Sequence, residues 1–228
     1  MSKNRSSILA FDCAGKALSV TVVTLEGEVL STAFEELRFG HSARLMLMID
    51  QSLSQAGVGY KDLRLIATTR GPGGFTGLRV AIATARSLAQ ALSIPALGFS
   101  SFETNLASLP IEFEPRRKRL IVIDSHRNDL YFQWFNSDSS ALGEPSILSL
   151  GAISALIDEE QPLVLGNGRA LLDNLPAESH HGERDFLNLS RQVASLALQA
   201  KTNQTISQHP CDPIYLRAAD VTLPSKAS

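Results

Sequence analysis

Cysteine is almost missing from this sequence: Cys13 and Cys211 are the only two. Two are too few for a disulfide framework and suit a reducing compartment, and neither has a zinc-ligand neighbour. Aromatic residues are scarce at 6%, with a single tryptophan, and the formal net charge is only -2. Such a chain has no whole-molecule field drawing it to nucleic acid or an anionic membrane. It also lacks the interleaved basic and aromatic residues of a free-standing RNA-binding module. No apolar run is long enough to span a membrane, and the polar residues 1–7 before the first short apolar run do not read as a secretory signal. A cytoplasmic globular protein is expected, and 228 residues are enough for one large domain or two small ones.

What is present is ordered punctuation. Ile8-Leu9-Ala10-Phe11 ends in Asp12, and a Gly15-Lys16 turn leads to a β-branched stretch over residues 18–24. After Glu26-Gly27 a third strand is predicted over residues 28–34. Leu45, Ile49, Leu53 and Ala56 then recur on one helical face over residues 42–56, with Gly57 as a stop. A strand over residues 63–68 precedes Gly71-Pro72-Gly73-Gly74-Phe75-Thr76-Gly77. A helix over residues 78–92, closed by Pro95, follows.

The second half opens like the first. Leu120-Ile121-Val122-Ile123-Asp124 repeats four apolar residues and a terminal Asp, and a polar turn again leads to a strand, over residues 130–135. Further on, Leu163-Val164-Leu165 runs into Gly166-Asn167-Gly168, and residues 186–201 read as a helix. An internal duplication is predicted. Two βββαβα halves joined near residues 110–119 describe an α/β, actin-like (ribonuclease H-like) fold, with subdomains at 1–109 and 110–228.

Several segments admit a chemical and a structural use. The glycine-rich segment follows a strand and opens a helix, so its amides could cradle an anion. It is no Walker loop, because Leu78 stands where a Lys would. Alternatively Gly71, Gly73, Gly74 and Gly77 make a tight turn and close packing, with Thr76 as helix N-cap. Asp12 and Asp124 could place Mg²⁺ near a phosphate, or could bond the turns that follow them. Arg116-Arg117-Lys118-Arg119 could touch RNA phosphate or be a solvated face. Among His41, His126, His180, His181 and His209 no pair has the i,i+4 spacing of a helical metal site.

The two helices carry more apolar surface than one core stripe needs. On the first, Leu45, Met46, Ile49, Leu53 and Ala56 fill one side, while Ala43, Leu47 and Met48 point elsewhere. The second is apolar almost all round, broken mainly by Arg79, Arg86 and Gln90. A contact with another subunit is therefore expected through Ala43, Met46, Leu47, Met48, Arg79, Ala83, Arg86 and Gln90, with self-pairing as a possibility for the isolated chain.

Phe11-Asp12, the G-P-G-G-F-T-G-L-R element of residues 71–79, Ile94-Pro95-Ala96-Leu97-Gly98-Phe99-Ser100-Ser101 and Pro213-Ile214-Tyr215-Leu216-Arg217 together resemble the TsaB (YeaZ) family over nearly the whole chain. The resemblance implies a bacterial protein needed for threonylcarbamoyl-adenosine beside the tRNA anticodon. It implies two partners, a catalytic TsaD-like paralogue and a TsaE-like ATPase, with tRNA contacted only within their complex. The paralogue carries His-x-x-x-His after an I-P-x-x-G stretch. Ser101 and Asn105 occupy those positions here, and neither is a good transition-metal ligand. The sequence departs from the family at Asp124-Ser125-His126, where Asp-Ala-Arg is more typical. A non-catalytic subunit without metal or cofactor is expected. An independent ATP-dependent transferase or glycoprotease-like hydrolase is the alternative.

Overall fold

The structure is a computed structural model that describes residues 6–37, 40–109, 117–173, 175 and 188–217. Its first sheet is built from β1 (Ser7–Asp12), β2 (Ala17–Thr24), β3 (Val29–Glu36), β4 (Leu63–Thr69) and β5 (Ala96–Phe99), in the order β3-β2-β1-β4-β5. β1 pairs antiparallel with β2 and parallel with β4. Every residue of β1 and β2 is buried. A strand covered on both faces need not alternate, which is why these two read as unbroken apolar and β-branched runs.

The covering layers come from both halves of the chain. On one face lie α1 (His41–Ala56) and α2 (Phe75–Leu92), packed on Leu9, Phe11, Val20 and Val22. On the other face Val193, Ala194, Ala197 and Ala200 of α5 (Ser190–Thr202) meet Ile8, Ala10, Leu65 and Phe99. The reciprocal exchange uses α3 (Ser101–Leu106), whose Phe102 packs on Ile121, Ile123 and Phe135 of the second sheet. A division at 1–109 and 110–228 therefore needs correction at the helical layer: α5, from the second half of the sequence, packs on the first sheet. The junction near residue 110 lies outside the described residues.

The second sheet comprises β6 (Arg119–Asp124), β7 (Asp129–Phe135), β8 (Ala141–Ser149) and β9 (Leu163–Leu165), in the order β8-β7-β6-β9, with α4 (Leu150–Glu160) on its outer face. That order repeats β3-β2-β1-β4. Both halves thus begin with the same meander and parallel crossover, and the duplication expected from the two Asp-ended strands is present in an actin-like α/β fold. The first half adds β5 and α3 to the expected βββαβα unit.

Two local expectations are corrected. α2 starts at Phe75 and not at Leu78, because Gly74 takes the N-cap position and Gly77 lies inside the first turn. Thr76 is exposed and within the helix, so it is not the cap.

Candidate functional site

The glycine-rich turn seats α2 on the turn after β1. A Cβ on Gly73 would stand 2.6 Å from the carbonyl oxygen of Ala14, and one on Gly77 would overlap that of Cys13. The Gly74 amide donates to Ala14 O at 2.7 Å. The left-handed conformation falls at Gly71, with φ of 103°, and not at Gly73; Gly74 has φ of -59°. Close approach thus accounts for Gly73 and Gly77, and backbone conformation for Gly71.

Asp12 and Asp124 sit at equivalent points of the two halves and do equivalent work. The Asp12 carboxylate accepts from Ala14 N at 3.1 Å and from the Thr69 hydroxyl. Asp124 accepts from His126 N at 2.7 Å, with the His126 Nδ1 at 3.2 Å and Lys16 Nζ at 3.7 Å. Each carboxylate closes the turn two residues on, which is the structural use of an Asp at a strand end. Burial pushes the Asp12 carboxyl above the ordinary carboxylate range, although bonds from Thr69 and the backbone pull the other way. Burial likewise pushes the Cys13 thiol well up and that of Cys211 up to about 11, so neither is poised as a nucleophile.

Ser101 and Asn105 lie one turn apart on α3, both buried at 3% and 4% exposure. The helix is held by a capping box: Ser100 Oγ accepts from Glu103 N at 3.0 Å, and Glu103 Oε2 accepts from Ser100 N at 2.7 Å. The Asn105 amide donates to the Ser101 carbonyl at 2.6 Å. Among the described residues no cluster of three His, Cys, Asp or Glu could hold a metal ion. His180 and His181 lie outside them.

The basic run is divided by its surroundings. Arg119 is turned inward at 7% exposure and donates to Ser139 Oγ at 2.7 Å, while Lys118 pairs with Glu160 at 2.8 Å. Desolvation lowers the pKa of Arg119. Arg116 is outside the described residues.

On α1 the buried stripe is Leu45, Met48, Ile49, Ser52, Leu53 and Ala56. Met48 is therefore a core residue at 3% exposure, and its expected place at an interface is corrected: it stands three residues after Leu45, which is one helical turn. Met46 moves the other way, off the core stripe and into solvent at 39%, beside Leu47 at 54% and an exposed Ala43. On α2, Leu78, Ala81, Ile82, Ala85 and Ala89 are buried, while Arg79, Ala83, Arg86 and Gln90 form the solvent face.

Reading the helices alone missed what holds the two arginines. The segment after α5 runs back over α2: Ile214 N donates to Arg70 O at 2.7 Å, and Gly98 N to His209 O at 3.1 Å. Asp212 pairs with Arg86, and Tyr215 OH accepts from Arg79 Nε at 3.1 Å. The Arg79 guanidinium also lies 3.6 Å over the Phe75 ring, whose centroid is 5.6 Å from that of Tyr215. Leu216 then packs on the second sheet's core, and Arg217 pairs with Asp129. The segment spans both subdomains beside a cleft of about 400 Å³, lined by Gly73, Phe75, His126, Tyr131, Tyr215 and Leu216. The signal for it was Pro213-Ile214-Tyr215-Leu216-Arg217, present as a motif but silent about what it touches.

A fold of two such halves, with a glycine turn seating its second helix, has relatives among tRNA-modification proteins. The chain belongs to the family described as TsaD, tRNA N6-adenosine threonylcarbamoyltransferase, whose model matches residues 35–162. Its resemblance to TsaB (YeaZ) is borne out over nearly its full length. It is 26% identical over 223 residues to the tRNA threonylcarbamoyladenosine biosynthesis protein TsaB of Bacillus subtilis, covering 94% of this chain and 95% of the relative. It is 28% identical over 229 residues to TsaB of Haemophilus influenzae, with 92% and 93% covered. The solved structure of YeaZ from Pseudomonas aeruginosa superposes with a TM-score of 0.73 at 25% identity, over 92% of this chain and 100% of that one. No helix among the described residues is long and apolar enough to cross a membrane.

Proposed function

We propose that this chain is a non-catalytic subunit for forming threonylcarbamoyl-adenosine on tRNA, which binds and activates a TsaD-like catalytic paralogue through the exposed face of α1 and α2. Its place in that biosynthesis is supported by full-length similarity to TsaB proteins. A TsaE-like ATPase is the further member of the assembly, and tRNA meets this chain only within it. The cytoplasm is the compartment where such an assembly meets tRNA. The docking face lies within residues 1–109, on α1 and α2.

The observation that carries this reading is Leu47. It is 54% exposed on a helix whose other side is fully committed to the core, with Met46 exposed next to it. Large apolar side chains grouped on a helix face mark contact surfaces more often than isolated ones do. The arginines of α2 supply a polar rim, and small residues such as Ala43 and Ala83 permit close approach. The reading is supported from the opposite side by Ser101 and Asn105, which stand where the family resemblance puts the paralogue's imidazoles and are both buried.

The test is Leu47→Asp. It leaves the monomer folded by circular dichroism, because Leu47 faces no part of its own core, and places an unpaired charge in an apolar contact. Association with the paralogue is expected to weaken by about 2–4 kcal/mol in a pull-down or titration, and self-association by light scattering to fall with it. A folded variant that binds the paralogue with unchanged affinity removes this face.

A further inference from the structure

Where the subdomains meet, Asp12, Pro72, Ser101 and Asn105 of the first face Ile123 and Asn167 of the second across a cavity of about 20 Å³. Two of these side chains carry buried polar atoms without a protein partner, Asn105 Oδ1 and Ser101 Oγ. The amide orientation of Asn105 is fixed by its nitrogen, which donates to Ser101 O at 2.6 Å, so Oδ1 is left as a pure acceptor. A buried amide oxygen without a donor is unfavourable, and native structures rarely keep one.

We propose that this cavity binds a single ordered water at the seam between the two subdomains. Its two hydrogens point to Asn105 Oδ1 and to the Asp12 carboxyl group, and its oxygen accepts from the Ser101 hydroxyl. Asp12 has acceptor capacity for this beyond its bonds from Ala14 N and Thr69. The volume is that of one water and the polar partners number three, which is what a buried water requires. Asn167 lines the cavity from the second half, held in place by its Oδ1, which accepts from Asp124 N at 3.0 Å. The donor set disfavours a transition-metal ion, since it offers neither imidazole nor thiolate, and although its oxygens suit a hard cation they are too few for one and the space admits no further water ligands. Ser101 and Asn105 thus serve a hydrated seam between the subdomains. The inference stands on the cavity and its orphaned atoms, and holds whether or not α1 and α2 form a docking face.

The test is a crystal structure of the full chain at atomic resolution, with water–protein nuclear Overhauser measurements in solution. The expected result is one peak, about 2.7–3.2 Å from Asn105 Oδ1 and Ser101 Oγ, and a cross-peak between a long-lived water and the Asn105 side-chain amide. In Asn105→Leu both are lost. In Ser101→Ala, the gentler change, the water remains with weaker density. A dry cavity in the wild-type chain overturns the proposal. So does a peak with contacts of about 2.0–2.2 Å that vanishes with chelator, which is a metal ion.

Discussion

Gly77 and Gly151 both lie in the first turn of a helix, yet the same substitution should act on them in opposite directions. A Cβ at Gly77 overlaps the carbonyl of Cys13, whereas one at Gly151 meets nothing within 4 Å. Gly77→Ala is expected to cost about 1–3 kcal/mol by overpacking, and Gly151→Ala to gain about 0.4–1 kcal/mol by restricting the unfolded chain, both read by denaturant unfolding. Equal effects at the two sites would mean that α2 is not seated on the β1 turn as described. A second residue-scale prediction follows from the buried Asp12. Its folded pKa is raised, so its contribution to stability is fully present below the unfolded value of 3.8 and is lost as pH rises through the folded pKa. Asp12→Asn keeps the Oδ1 acceptor and removes the titration. The variant's stability relative to wild type should therefore improve as pH is raised from below 3.8 toward neutrality, as measured by thermal unfolding across that range. A difference independent of pH would contradict the burial of a titrating carboxyl group.

At the scale of elements, the segment from His209 to Arg217 is the tie between halves, and its strength can be measured. Asp129 accepts from Ser125 Oγ at 2.5 Å and from Arg217, and these bonds hold its carboxyl below the usual range. The sign is opposite to that of Asp12: this stability is present above 3.8 and is lost as pH falls through the lowered folded pKa. A double-mutant cycle with Asp129→Ala and Arg217→Ala should give a coupling of about 1 kcal/mol near neutral pH that fades in acid. Hydrogen exchange in β7 should accelerate in either variant. Zero coupling would mean the tie is made by Leu216 and the backbone alone.

How legible such elements were depends on what their residues face. β1, β2 and β6 lie between layers, so burial on both sides wrote them as apolar runs, and the aspartates that end β1 and β6 revealed the repeat. β8 is an edge strand containing Gly143 and Pro145, and most of its residues are exposed, so no alternation marked it. β5 is only four residues long, and α4 buries only Ile153 and Ile157. The candidate docking face was legible in outline from the excess of apolar positions on α1. Periodicity exchanged Met46 and Met48 because each lies near an edge of the stripe. The pairing of Arg79 and Arg86 with the C-terminal segment involves residues more than a hundred positions away, beyond any local pattern.

At the scale of the whole molecule, two actin-like halves exchange helices, close their seam around a cavity the size of one water, and leave apolar side chains exposed on α1 beside the polar face of α2. The account's central claim is that this chain works by activating a catalytic relative. The most direct measurement is the yield of threonylcarbamoyl-adenosine on tRNA as this chain is titrated into a fixed amount of its genome's TsaD-like paralogue, with the ATPase and the threonylcarbamoyl donor supplied. The account predicts no product from this chain and ATPase without the paralogue, a yield that rises with added chain and saturates near equimolar, and a loss of that rise with Leu47→Asp. Product formed without the paralogue, or a yield indifferent to this chain, would contradict it.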